Sequence, residues 1–177
     1  MEIPLEDDRV TRLTKTGLPF VTIGRIAEPH DMSWIDIDYS GLIARCVRHL
    51  ADLGHRHVAL VNRSAELVAA GYGPSHRALT GFRAAADRGL TGVEVCCGDD
   101  TASGEACVEQ LLVTHPDVTA IATINEAALP GLQRALTGAG TDGGGGGGGC
   151  GVGRPPRGWG GGCAEGGGAR RGRGDSH

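Results

Sequence analysis

The sequence has no long apolar run. Its opening, MEIPLEDD, is acidic, so no secretory signal is expected there, and no later stretch is long or apolar enough to cross a bilayer. Motifs that hold phosphates or mark nucleophiles are also missing. No GxGxxG follows a strand-like run, no GxxxxGK occurs, and no Ser, His and Asp spacing of a catalytic triad stands out. The cysteines never fall as CxxC, which removes the commonest zinc and redox patterns. Six of them in a chain without an export signal are expected as free thiols, in the cytoplasm. The net charge of −4 is too small to indicate nucleic acid or a membrane surface as partner.

What is present divides into two compositions. Up to about Gly140 the chain is a globular mixture rich in Ala, Val and Leu. From Gly143 it is dominated by glycine with five scattered arginines, beginning GGGGGGGCGVGRPPRGWGGGC. Such a segment has little to bury and much entropy to lose, so residues 142–177 are expected to be a disordered Gly/Arg-rich tail. A run of seven glycines followed by Gly-Arg-Pro-Pro-Arg-Gly-Trp is not expected to supply a sheet strand. Codons of GC-rich DNA read out of frame give Gly, Arg and Pro, so the tail is expected to be a frameshift product.

Within the first part the hydrophobic period alternates between two types. Residues 17–25, GLPFVTIGR, read as a short buried strand. SWIDIDYS alternates Trp34, Asp36 and Asp38 with Ile35 and Ile37, an extended segment with acids on one side. Ile43, Cys46, Val47 and Leu50 then fall at i, i+3, i+4 and i+7, one face of a helix that Gly54 stops. HVALVN is a strand. A helix opens at Pro74 or Ser75 and runs to Arg88 with Leu79, Phe82 and Ala86 inward, and Gly89 ends it. GVEVCCG is a strand with Cys96 and Cys97 on opposite faces. Residues 103–113 are helical, DVTAIATIN is a buried strand, and residues 126–136 form a last helix. Pro130 is tolerable only in the first turn of that helix, so its start is expected late. Strands separated by helices argue a parallel sheet flanked by helices, an α/β fold. The expected core includes Ile43, Val47, Leu50, Val58, Leu60, Phe82, Ala120 and Ile121.

Ligands in such sheets collect at the carboxyl ends of the strands. Arg25, Asn62-Arg63, Gly98-Asp99-Asp100 and Ile124-Asn125 all lie just after predicted strands, as a polar small-molecule site requires. The cluster HLADLGHRHVALVN, with His49, His55 and His57, raises the alternative of a metal or a general base. Zinc needs three or four ligands in tetrahedral reach, and no Cys or acid nearby completes a set. A general base needs a partner, and none is evident. The expected reading is a helix stop whose histidine bonds local backbone. Neither a metal, a cofactor nor a catalytic residue is expected.

Six segments carry a resemblance, in one order, over about Arg12 to Gly140. RHLADLGHRHVALVN resembles the helix–LGH–strand segment of the LacI/GalR family of bacterial transcription regulators. RLTKTGLPFVTIGR resembles that family's stretch before its interdomain crossing, and WIDIDYSGLIARCVRHL its crossing and following helix. RALTGFRAAADRGL resembles its Arg…Gly-aromatic helix, GDDTASGEACVEQLL its Gly-Asp…Ser-Gly turn and helix, and VTAIATINEAALPGLQRAL its strand–Asn-Asp–helix segment. The resemblance implies a periplasmic-binding-protein-like sensor core with a sugar or other small metabolite in a cleft between two subdomains. It implies a homodimer in the full-length family, with DNA bound only through an N-terminal helix-turn-helix that this sequence lacks, and no membrane. Residues 1–34 are then expected to be a remnant of the first sensor subdomain and residues 35–141 an incomplete second subdomain.

Four residues are the effector-binding candidates. Arg77 stands where the family places an arginine that forks onto hydroxyls or a carboxylate, though it precedes Phe82 by five positions where four are expected. The alternative is a surface arginine. Asn125 can donate to and accept from one hydroxyl, or cap the last helix. Asp100 is either a polar contact or a helix cap, with the cap favoured. Arg25 follows its strand toward the cleft, or simply turns there. Asp36 and Asp38 are expected to set the crossing and cap the helix, and Trp34 either lines the cleft or is exposed. Two other functions compete: a periplasmic-type sugar-binding protein fragment, which should carry a signal peptide and avoid free cysteines, and a doubly wound enzyme, which lacks its motifs.

Overall fold

The structure, a computed structural model, describes residues 4–29, 32–87, 89–139 and 152–153. The elements follow one another as α1 (Asp8–Lys15), β1 (Val21–Ile23), β2 (Ser33–Ile35), α2 (Tyr39–Asp52), β3 (His57–Asn62), α3 (Ala65–Ala69), α4 (Gly73–Ala86), β4 (Thr91–Cys96), α5 (Thr101–Thr114), β5 (Ala120–Thr123), α6 (Leu129–Gly138) and β6 (Val152–Gly153). The main sheet has the order β4-β3-β5-β6, with β3 parallel to both β4 and β5. A second sheet pairs β1 with β2 in parallel. The expected parallel sheet flanked by helices is therefore present, split into a main body and a two-stranded annex.

The main sheet is covered on both faces. Ile43, Cys46, Val47 and Leu50 of α2 and Ala78, Phe82 and Ala85 of α4 pack with Val58, Leu60, Ala120 and Ala122. Val108 and Leu111 of α5 and Leu132 and Leu136 of α6 pack with Ala59, Val61 and Ile121 on the other face. Alternation along β3 sends successive residues to opposite helix layers, which is why all of Val58, Ala59, Leu60 and Val61 are fully buried. Each Ile or Leu so buried contributes about 2 kcal/mol by area removed from water. All eight residues expected in the core are in it.

Local chemistry sets the ends of the elements. Asp38 caps α2 by accepting from Gly41 N at 2.8 Å, and Asp100 caps α5 by accepting from Ser103 N at 2.8 Å. Gly54 after α2 and Gly89 after α4 take φ of +94° and +98°, the left-handed turn that a side chain would strain. Pro130 sits at the start of α6, which begins at Leu129 rather than at residue 126. Cys96 is exposed and Cys97 buried, on opposite faces as expected.

Several expectations are corrected. The strand at residues 21–23 is not buried: only Thr22 is, while Val21 and Ile23 are 67% and 83% exposed, because β1 pairs with β2 alone. The inward stripe of α4 is Ala78, Phe82 and Ala85, with Leu79 and Ala86 half-buried at its margin. The rotation follows from Gly81, whose bare Cα lies against the start of α2: a Cβ there would be 2.1 Å from Ser40 O. The helices α1 and α3 were not expected. His55 bonds not local backbone but Thr119, with Nδ1 2.9 Å from Oγ1. Cys96, Cys97 and Cys107 are free thiols, whereas Cys46 is disulfide-bonded.

The Gly/Arg-rich segment lies almost wholly outside the described residues, and with it the expectation of disorder. At one place the expectation that it supplies no strand is overturned. Val152–Gly153 pairs antiparallel with Ala120 and Ile121 at the free edge of β5. Ladder pairing uses backbone groups, which glycine carries like any residue, and one β-branched valine suffices for two residues of strand.

Candidate functional site

The annex meets the starts of α2 and α4 at a cleft. Leu5 N donates to Gly71 O at 2.9 Å and Ala27 N to Leu5 O at 2.9 Å, so the N-terminal segment ties the loop after β1 to the turn before α4. Between them opens a cleft of about 550 Å³, lined by Ile23, Gly24, Arg25, Ile35, Asp36, Ile37, Tyr39, Tyr72, Pro74 and Arg77. These residues come from the carboxyl ends of β1 and β2, the start of α2 and the first two turns of α4. The cleft thus lies at the carboxyl ends of parallel strands, where ligands collect in such folds.

Arg25 and Arg77 are brought together there. Arg77 Nη2 donates to Arg25 O, and Arg77 Nη1 lies 3.3 Å from Asp36 Oδ2. That is an ion-pair distance without hydrogen-bond alignment, and Asp36 Oδ2 accepts no hydrogen bond. The pair is mostly buried, with 13% of the Arg77 side chain and 12% of the Asp36 side chain exposed. Burial lowers the Arg77 pKa, while Asp36 opposes the shift and Arg25 adds to it. A guanidinium nonetheless stays charged at any physiological pH. Arg25 stacks over the Trp34 ring, its Cζ 4.8 Å from the centroid, and its buried Nε has no hydrogen-bond partner.

Asp100 and Asn125 lie outside this cleft. Asp100 spends both carboxylate oxygens on Ser103, Oδ1 accepting from the backbone N–H and Oδ2 from Oγ at 2.8 Å. Those bonds hold its carboxyl below the usual range. Asn125 is fully buried. Its Nδ2 donates to Cys97 O and Gly98 O at 3.1 Å each, and its Oδ1 accepts from Ala128 N at 3.3 Å. Each polar atom of its side chain is engaged within the protein.

The polar strand ends above β3 and β4 are tied to each other. Arg63 forks onto Asp99 at 2.8 and 3.0 Å and lies over the Tyr72 ring at 5.6 Å. Asn62 Nδ2 donates to Glu94 Oε1 at 2.8 Å. Sequence reasoning missed two features of the site. Asp36 was expected to set the crossing, yet it pairs with Arg77; its alternation with Trp34 and Asp38 was the available signal. Tyr72 sits between α3 and α4, and nothing in its spacing pointed to a cleft.

Chemically the cleft offers two guanidinium groups, one carboxylate, two tyrosine rings and aliphatic walls. That set can bind and orient a polar small molecule. Cys96, Cys97 and Cys107 do not add a nucleophile: burial raises each of their pKa values, that of Cys97 up to about 12. No group of three His, Cys, Asp or Glu side chains placed to hold a metal ion occurs among the described residues. Nor is any helix among them long and apolar enough to cross a membrane.

Residues 4–149 match the family of periplasmic binding proteins and sugar binding domain of LacI family, and the chain belongs to that family. The HTH-type transcriptional regulator RafR of Escherichia coli is 32% identical over 59 residues, 33% of this chain and 18% of that protein. The HTH-type transcriptional regulator AglR of Rhizobium meliloti (strain 1021) is 39% identical over 57 residues, 32% of this chain and 16% of that protein. Among solved structures, a regulatory protein of LacI family from Chloroflexus aggregans superposes with a TM-score of 0.68 at 27% identity, covering 78% of this chain and 50% of that one. The chain thus spans about half the length of that solved relative and less than a fifth of the curated ones.

Proposed function

We propose that this chain is the effector-sensing portion of a LacI-type transcription regulator, and that Arg25 and Arg77, with Asp36, hold a sugar or similar small metabolite. The carrying observation is the cleft itself, where those groups converge at strand ends and the Arg25 guanidinium has no carboxylate within ion-pair distance among the described residues. The regulators at 32% and 39% identity support the same reading. Residues 1–34 would belong to a first sensor subdomain and residues 35–141 to a second. Asp100 and Asn125, first candidates as ligand contacts, act in this reading by shaping the turn after β4.

The mechanism is linkage. An effector that binds open and closed cores with different affinity shifts their equilibrium, and DNA-binding heads attached to the core respond to the shift. Those heads, a homodimer interface and a cytoplasmic setting belong to the whole regulator. No catalysis is part of the proposal, because the cleft offers binding groups and no nucleophile paired with a base. A periplasmic-type sugar-binding protein shares the architecture and the family description, but the named relatives favour the regulator.

The test is a titration of the chain with a panel of neutral and acidic sugars, followed by chemical-shift changes. Shifts centred on Arg25, Asp36, Tyr72 and Arg77 with any member are expected, at weak affinity. A panel that moves no resonance around the cleft would overturn the assignment.

A further inference from the structure

The charge of the cleft narrows its ligand. Its lining carries two guanidinium groups and one carboxylate, a net charge of +1. Asp36 lies against Arg77, so this pair offsets itself. Arg63, close to Tyr72 at the rim, is likewise matched by Asp99. Arg25 is left: among the described residues no carboxylate stands within ion-pair distance of it, and its Nε is buried without a partner. Trp34 stacks on one face of the guanidinium, which leaves its in-plane N–H edge for hydrogen bonds. The start of α4 adds to the same sign. Its N-cap Tyr72 provides no side-chain cap and its first turn has no acidic residue.

A half-buried cation without a counter-ion is a costly feature unless something answers it. A neutral polyol in the cleft would leave the Arg25 charge unmatched, whereas a ligand that carries a negative group answers it. Resting on the sugar-sensing reading, we infer that the cleft selects an acidic sugar, a polyol bearing a carboxylate or a phosphate. Its anionic group sits on the in-plane edge of the Arg25 guanidinium.

The experiment compares glucose, glucuronate and glucose 6-phosphate in titrations of the full chain. The two acidic sugars distinguish carboxylate from phosphate. The expected result is at least roughly tenfold tighter binding of one acidic sugar than of glucose, the strength of one charge-assisted pair. That preference should shrink as salt is added. Arg25→Gln should abolish the preference, and Arg25→Lys should restore part of it with the charge but without the fork. Glucose binding as tightly as both acids would overturn the charge selection and leave the sugar-sensing reading standing. Binding by none of the three would overturn both. A preference that survives Arg25→Gln would remove Arg25 from the anion site, whatever the fold of a second variant.

Discussion

Asn125 ties three segments together through one amide. Two donated bonds hold the carbonyls of Cys97 and Gly98 after β4, and one accepted bond holds the N–H of Ala128 ahead of α6. All of this is buried, so removing the amide strands three backbone groups. Asn125→Ala should therefore destabilise the fold by about 2–3 kcal/mol, seen as a lower urea midpoint with unchanged slope. Affinity lost with stability intact would place Asn125 at the ligand instead. His55 gives a second expectation at this scale. Burial lowers its pKa from the ordinary 6.5. The native state then keeps His55 neutral where the unfolded chain already takes up a proton. Its contribution is unpenalised above pH 6.5 and stability falls as pH drops from there toward the lowered native pKa. His55→Gln should flatten this part of the stability–pH curve while leaving the Thr119 contact available.

Helix α5 meets α6 through glycine. A Cβ on Gly131 would stand 1.9 Å from Thr101 O, and one on Gly104 2.3 Å from Ala128 O. Neither obstacle can yield without the helices parting, because both are backbone. Gly131→Ala or Gly104→Ala should cost about 1–3 kcal/mol in urea titrations. Gly138→Ala, with open space around it, should be neutral or stabilise by a few tenths of a kcal/mol. A neutral Gly131→Ala would mean that the helices do not cross so closely. At this scale the sequence was readable where periodicity and burial agree. The stripe Ile43, Cys46, Val47, Leu50 and the run HVALVN name their own environment, since α2 is buried on one face and β3 on both. Helix α1 holds only two apolar residues, Val10 and Leu13, and α3 is five residues long, so no stripe announced either. The face of α4 was misjudged because Gly81 carries no hydrophobicity, yet its close approach to Ser40 turns the helix. The site was half legible. Residues after strands pointed to Arg25, and the family pattern to Arg77, but Asp36 became a partner only when the crossing brought it across to α4.

At the scale of the molecule, the described residues leave an apolar surface open on the annex. Ile23 pairs in register with Ile35 on the annex sheet, and Val21 lies two residues before Ile23 on the same face. Val21, Ile23 and Ile35 are 67%, 83% and 64% exposed, with Leu18 at 67% and Ile37 at 59% beside them. Burial was read from the apolar composition of this stretch, but composition records what a residue can bury and not whether anything covers it. A two-stranded sheet gains little stability alone, and an exposed apolar patch at its open edge favours self-association. The chain is therefore expected to associate increasingly with concentration in light scattering. Val21→Lys together with Ile23→Lys should reduce that association. Because both side chains are already in solvent, global stability should change by less than about 0.5 kcal/mol. If the double variant associates as strongly as the parent, the annex is not the sticky surface. If it unfolds the chain, these residues are covered in solution and the face already has an occupant.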